Sequence, residues 1–141
     1  MELMDKFISI SDFAGEGYQP LVDFESWRVA VLRYIDELLP RNIDNVECHL
    51  ATDEVFILFE GRCILFLADV KDEQVIKIYP VDMIPKQLYT VKKGVYHTHT
   101  LSPDAHVIIV ENQDTGAANS RRISLGQSQV DEICEMTANL W

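Results

Sequence analysis

A series of short apolar runs, each ended by a turn signal, limits what this chain can fold into more than any other feature of its sequence. The runs are rich in Val, Ile, Phe and Tyr. The turn signals between them are Glu60-Gly61, Lys71-Asp72, Pro85, Lys93-Gly94, Pro103-Asp104 and Thr115-Gly116. Short strands with turns roughly every 8 to 12 residues predict an all-β sandwich or barrel.

The predicted strands cover most of the chain after residue 25. They are residues 26–35, 46–50, 54–60, 62–69, 75–81, 87–91, 95–100, 105–112 and 121–125. Several of these runs carry apolar residues on both faces, which is typical of strands that are covered on both sides. Residues 36–45 contain Pro40 and are predicted to form a loop.

The two ends of the chain differ from this pattern. Residues 11–25 mix Gly, Pro and acidic side chains, and we predict an irregular N-terminal arm there. The spacing of Val130, Ile133 and Thr137 predicts a C-terminal helix at about 128–140 that lies against the barrel. Ser128 and Asp131 resemble a weak capping box at its start.

Length and charge narrow the class of protein. The 141 residues fit one domain, with a barrel core at about 27–125. A net charge of −11 argues against nucleic acid or an anionic membrane surface as a partner. Three widely spaced cysteines fit reduced thiols, so we expect a cytoplasmic protein, and residues 1–17 do not read as a signal peptide.

Five polar residues stand where a metal site could form. On a strand at 46–50, alternation places Glu47 and His49 on one face, and Glu54 begins the next strand after a four-residue turn. His97 and His99 share one face of a later strand. Inward positions of distant strands meet in a small closed barrel, and imidazoles with a carboxylate suit Fe, Mn, Ni, Zn or Cu. The alternative is that these side chains are only polar strand ends or hydrogen-bonded core residues.

Two motifs give the chain a resemblance to the cupins, small β-barrel metalloproteins with a jelly-roll fold. Their first motif, G-x5-H-x-H-x3-4-E-x6-G, is matched by His49-x4-Glu54-x6-Gly61. Their second, G-x5-P-x-G-x2-H-x3-N, is matched by Gly94-x2-His97. The resemblance covers about residues 27–112 and implies a double-stranded β-helix.

The resemblance also implies a metal set and shows where the chain departs from it. The implied ligands are Glu47, His49, Glu54 and His97, with Glu47 in the place of the family's first histidine. The other departures are Arg41, Lys86, Lys92 and Leu101 at positions the family gives to glycine, proline or asparagine. Two His and two carboxylates would favour Mn or Fe over Cu.

Two functions remain open at this point. One is a metal-dependent enzyme that acts on a small metabolite such as a sugar or an organic acid, with Glu47 as a ligand or general base. The other is a metal-free cupin that binds a small ligand or has a structural role. Parity suggests a ligand pocket lined by Phe56, Leu58, Tyr89, Val95 and His99. The N-terminal arm and the strand that starts near Trp27 suggest a homodimer.

Overall fold

Ten strands form two five-stranded antiparallel sheets in the computed structural model, which describes residues 4–141. The strands are β1 Gly17–Phe24, β2 Trp27–Arg33, β3 Asn45–His49, β4 Glu54–Glu60, β5 Cys63–Lys71, β6 Gln74–Asp82, β7 Leu88–Val91, β8 Tyr96–Leu101, β9 His106–Asn112 and β10 Ser120–Ser124. One sheet has the order β1-β2-β9-β4-β7 and the other the order β10-β3-β8-β5-β6. The predicted all-β jelly roll is confirmed.

The N-terminal arm is shorter than predicted, because residues 17–24 form strand β1 and pair with β2. The Gly, Pro and acidic residues that suggested irregular structure are tolerated because β1 is an edge strand. Pro20 has no N–H to donate, and the register of the ladder shifts between Pro20 and Val22. A prediction of an irregular arm over all of 11–25 is therefore wrong for its second half.

The segment before β3 and the C-terminal helix follow the prediction closely. Asp36–Leu38 and Pro40–Asn42 are short 3-10 turns within the expected loop. Helix α1 spans Gln127–Leu140. Its first turn is not capped by Ser128 and Asp131: the Gln129 side chain accepts the N–H of Gly126 at 2.9 Å.

The core has two parts, which explains why β5 is apolar on both faces. Leu65 points between the sheets and packs with residues of β2, β4, β8 and β9. Its neighbours Ile64 and Phe66 point the other way and pack with Ile133 of α1. Burial of a large apolar side chain stabilises the fold by roughly 1.5–3 kcal/mol, so both faces contribute.

Two glycines of the sequence motifs adopt a positive φ that other residues rarely take. Gly61 has φ +73°, and a Cβ there would lie 2.6 Å from the Cα of Ala105, so the position needs glycine for space as well. Gly94 has φ +83° with open space around it. The N–H of Gly94 donates to the carbonyl of His49 at 2.7 Å and so ties the loop before β8 to the end of β3.

No helix within residues 4–141 combines the length and the apolar character that a membrane crossing would need.

Candidate metal and ligand site

Three buried side chains from three strands meet at one end of the barrel. His49 is the last residue of β3, Glu54 is the first of β4, and His97 is the second of β8. Each can offer one ligand atom such that all of these atoms lie within 4.8 Å of one another. Strand alternation turns all three inward, and the tight connection between β3 and β4 brings His49 beside Glu54.

The carboxylate of Glu54 lies between the two imidazoles. Its Oε1 is 2.8 Å from Nε2 of His97, and its Oε2 is 3.5 Å from Nε2 of His49. The two rings are 5.5 Å apart between centroids and meet edge to face. A cation that replaced the shared protons would meet two nitrogens and a carboxylate, a set that suits divalent transition metals.

The other nitrogen of each ring has its own partner. Nδ1 of His97 lies 3.0 Å from the carbonyl of Val95, and a carbonyl can only accept, so Nδ1 carries a proton. In the neutral imidazole Nε2 is then an acceptor that faces another acceptor, Oε1 of Glu54, at 2.8 Å. A proton or a metal ion must stand between these atoms. Nδ1 of His49 lies 2.8 Å from the Ser120 hydroxyl, which can donate or accept, so this contact orients the ring without fixing its proton.

The same contacts set the charge state of the group. Burial opposes ionisation of Glu54, but hydrogen bonds from His49 and His97 outweigh it and hold the pKa of this carboxyl well below its usual range. The hydrogen bond to Glu54 raises the pKa of His49 against the opposing effect of burial. Orientation of imidazoles by a second hydrogen bond, as with Val95 and Ser120, is typical of metal-binding histidines.

Glu111 and Tyr18 complete this end of the barrel, and the sequence reasoning missed both. Val55 pairs with Val110 in the β4–β9 ladder, so Glu54 and Glu111 face each other one position further on. The Tyr18 hydroxyl donates a hydrogen bond to Oε1 of Glu111. Burial, together with the neighbouring Glu54 carboxylate, raises the pKa of Glu111 to about 7. Burial and the contact with Glu111 raise the pKa of Tyr18, so the phenol keeps its proton.

A cavity of about 600 Å³ opens at this group. His49, Glu54, His97, His99 and Glu111 all line it. Burial, with a further effect of His97, lowers the pKa of His99 to about 4, so His99 is neutral at physiological pH. The volume suits a small metabolite.

The predicted pocket residues other than His99 do not line this cavity. Phe56 and Leu58 belong to the apolar core, with 0% and 1% of their surface exposed. Tyr89 and Val95 pack against that core, and the Tyr89 hydroxyl accepts the N–H of Ile84. Strand alternation predicted that these side chains point inward, but it carries no information on which end of the barrel is open. Phe56 contributes indirectly, because its ring packs against those of His97 and His99.

Glu47 lies at the edge of the group. It pairs with His97 across β3 and β8, so it shares the inward face, but its Oε1 is 4.0 Å from Nε2 of His49. Its Oε2 accepts from Nε of Arg122 at 2.8 Å. The structure therefore brings His49, Glu54 and His97 together, whereas the ion pair with Arg122 holds the Glu47 carboxylate away from them. Its role as a ligand or base stays a prediction.

Comparisons with known proteins support the fold. No family model matches this chain, and no curated protein matches its sequence. Among solved structures, a Streptomyces Pac13 variant with uridine is similar at a TM-score of 0.54 and 12% identity, over 83% of this chain and 87% of that one. Pac13 is described as a nucleoside dehydratase.

Two further solved structures are similar at a TM-score of 0.50. KdgF from Halomonas is 11% identical over 70% of this chain and 78% of its own. Fe(II)-containing HppE is 17% identical over 67% of this chain and 48% of its own. These neighbours are cupin-fold proteins, and at such low sequence identities the similarity indicates the fold and not an activity. Together with the two antiparallel sheets, they show that this chain adopts the cupin fold.

Proposed function

We propose that this protein binds one divalent transition metal ion through His49, Glu54 and His97 and uses it to bind or transform a small metabolite, such as a sugar or an organic acid. The observation that carries the proposal is the facing pair of acceptors, Nε2 of His97 and Oε1 of Glu54, with Nδ1 of His97 committed to a carbonyl. Iron, manganese, nickel and zinc are all compatible with two imidazoles and a carboxylate.

The neighbouring cupins support the second half of the proposal. Pac13 is described as a nucleoside dehydratase and was solved with uridine, and HppE was solved with Fe(II). A bound ion would supply a Lewis acid for an oxygen atom of the ligand. The chain's own contribution is to orient both imidazoles, through Val95 and Ser120.

Elemental analysis tests the metal. The protein is purified without a histidine tag or a chelator, and its content of iron, manganese, nickel and zinc is measured by mass spectrometry. We expect about one equivalent in the wild type and a loss of most of it in His49→Ala. His106→Ala is the matched control, since His106 lies on β9 beside Phe59, outside the cluster. Equal metal content in all three proteins, or none after incubation with each ion, would contradict the proposal.

A metal-free binding protein is the second candidate, and one observation favours it. The 2.8 Å contact between His97 and Glu54 is a satisfied hydrogen bond if the imidazole is protonated. The cavity would then bind a ligand through polar wall residues alone. Small-molecule binding that survives complete removal of metal would favour this alternative.

We also propose that two copies form a homodimer through the β1–β2 edge of the first sheet. Phe24 and Trp27 pack there with tilted rings, 5.9 Å apart between centroids, and are 57% and 43% exposed. An exposed apolar edge is a common site for self-association. Light scattering coupled to size exclusion should give twice the mass of the chain, and Trp27→Asp should return it to one chain. A monomer at micromolar concentration would contradict this.

A further inference from the structure

Two buried polar atoms of residues that line the cavity have no hydrogen-bond partner, and they point to what the ligand must offer. Among the described residues, the buried side-chain atoms without a hydrogen bond are Nδ1 of His99 and Oε2 of Glu111. Both side chains line the same cavity. A buried polar atom without a partner costs roughly 1–3 kcal/mol, so such atoms are rare unless a ligand or water completes them.

The charge of the cavity wall restricts the charge that the ligand can carry. Within residues 4–141, the lining contains five carboxyl side chains, listed here: Glu37, Asp44, Glu47, Glu54 and Glu111. The same part of the chain gives the lining one arginine, Arg122, which already forms an ion pair with Glu47 at 2.8 Å. A divalent ion would offset two of these negative charges and leave the wall acidic. An anionic ligand would therefore enter against a like charge.

From these observations we infer that the natural ligand is an uncharged molecule with several hydroxyl groups, such as a neutral sugar or a nucleoside, and that Glu111 selects it by binding a hydroxyl. This inference rests on the proposed function and narrows it, because it removes organic acids and phosphate esters from the possible ligands. A hydroxyl group both donates and accepts, so it can satisfy the carboxyl oxygen of Glu111 and the imidazole nitrogen of His99.

Tyr18 fixes the direction in which Glu111 binds. The phenol donates to Oε1 and so holds the carboxyl in one orientation, which leaves Oε2 for the ligand. Tyr18 also lines the cavity. Tyr18 is thus a positioning residue, whereas Glu111 is the residue that contacts the ligand.

Matched ligand pairs test the charge preference. Binding is measured by isothermal titration for three neutral compounds and their anionic counterparts: D-ribose and ribose 5-phosphate, methyl glucoside and glucuronate, and cytidine and its monophosphate. We expect at least one neutral member to bind, and to bind at least about tenfold more tightly than its anion. Absence of binding by every neutral member, or tighter binding of the anions, would overturn the inference.

A conservative variant tests Glu111 itself. Glu111→Gln keeps the shape of the side chain and can still accept from Tyr18, but it presents an NH₂ group where Oε2 stood. We expect it to weaken binding of the best neutral compound by about tenfold or more, because the NH₂ group cannot accept a hydrogen bond from the ligand hydroxyl. Glu60→Gln, at the exposed far end of β4, is the matched control and should bind as the wild type does. Unchanged binding in Glu111→Gln would overturn the role of Glu111.

Metal content, measured on the same samples, separates this inference from the proposed function. Metal at one equivalent together with a preference for anions would reject the inference and leave the metal site standing. Tighter binding of neutral compounds by a protein that holds no metal would reject the metal site and leave the inference about the ligand standing. Glu111→Gln should retain the metal content of the wild type, which shows that its effect is on the ligand.

Discussion

The interior of the barrel has a polar end and an apolar end, and the same strands build both. Strand β4 begins with Glu54 and continues on the same face with Phe56 and Leu58. Strand β9 runs in the opposite direction, from apolar Val107 and Ile109 to Glu111. Because the two strands are antiparallel, the start of one and the end of the other place their carboxyl groups at the same end of the barrel.

The two ends of the barrel differ in what they contribute to stability and to binding. The apolar end is closed, with Phe56, Val107 and Leu58 at most 1% exposed. The polar end is also largely buried, yet it keeps a cavity, a carboxyl pair and two atoms without hydrogen-bond partners among the residues that the structure describes. Polar groups arranged in this way reduce stability and are usually retained for binding or catalysis. We therefore expect stability to depend mainly on the first region and metal or ligand binding on the second.

The largest expected effect comes from removal of a core aromatic ring. Phe56→Ala should lower the free energy of unfolding by about 3–5 kcal/mol, because it leaves a cavity in a closed part of the barrel. Phe59→Ala, on the opposite face of the same strand and 58% exposed, should change it by no more than about 0.5 kcal/mol. Urea denaturation measures both. Similar losses in the two variants would mean that the apolar end does not dominate stability.

A smaller effect is expected from the polar end once the metal has been removed. Glu54→Ala should cost about 1–3 kcal/mol in the presence of a chelator, since His49 and His97 lose their shared partner. Glu60→Ala on the exposed end of β4 is the control and should be close to neutral. If Glu54→Ala is as costly as Phe56→Ala, the division between the two ends does not hold.

The smallest expected effect is a change in pH dependence. The pKa of Glu111 is about 7 in the folded protein, whereas the ordinary pKa of a glutamate carboxyl is 4.5, so the folded state holds a proton between these values that the unfolded state has lost. The contribution of Glu111 is therefore full below pH 4.5 and is lost as the pH rises through 7. Because glutamine does not ionise, the unfolding free energy of Glu111→Gln should fall by on the order of 1 kcal/mol less than that of the wild type over this pH range.

The pH experiment compares urea denaturation of the chelated wild type and Glu111→Gln at several pH values from acid to mildly alkaline. The unfolding free energy of the variant should fall less steeply over this range. Parallel curves would show that Glu111 ionises in the fold as it does in an exposed position.

The sequence was sufficient for nine of the ten strands and for three of the site residues. Alternation along β3 and β8 predicted that His49 and His97 point into the barrel. The short connection before β4 predicted that Glu54 lies beside them. These relations are local in sequence or follow from a motif with fixed spacing. Gly61 was predicted as a turn residue for the same reason, and its φ of +73° agrees.

The remaining site residues depend on which strands are neighbours, and periodicity does not carry that information. Glu111 could have been suspected, because it shares the parity of Val107 and Ile109 in an apolar run. Its position opposite Glu54 follows only from the pairing of β9 with β4. Tyr18 lies 93 residues away from Glu111 in a segment predicted to be irregular, and nothing in its surroundings marked it.

The most direct test of the central claim is a crystal structure of the metal-loaded protein with anomalous diffraction collected at the absorption edge of the bound metal. We predict a single anomalous peak in contact with Nε2 of His49, Nε2 of His97 and the Glu54 carboxylate, at a distance typical of coordination, about 2.0–2.2 Å for zinc. The direct hydrogen bond between His97 and Glu54 should then be absent. A structure in which that hydrogen bond persists and no peak lies between the three side chains would contradict the account.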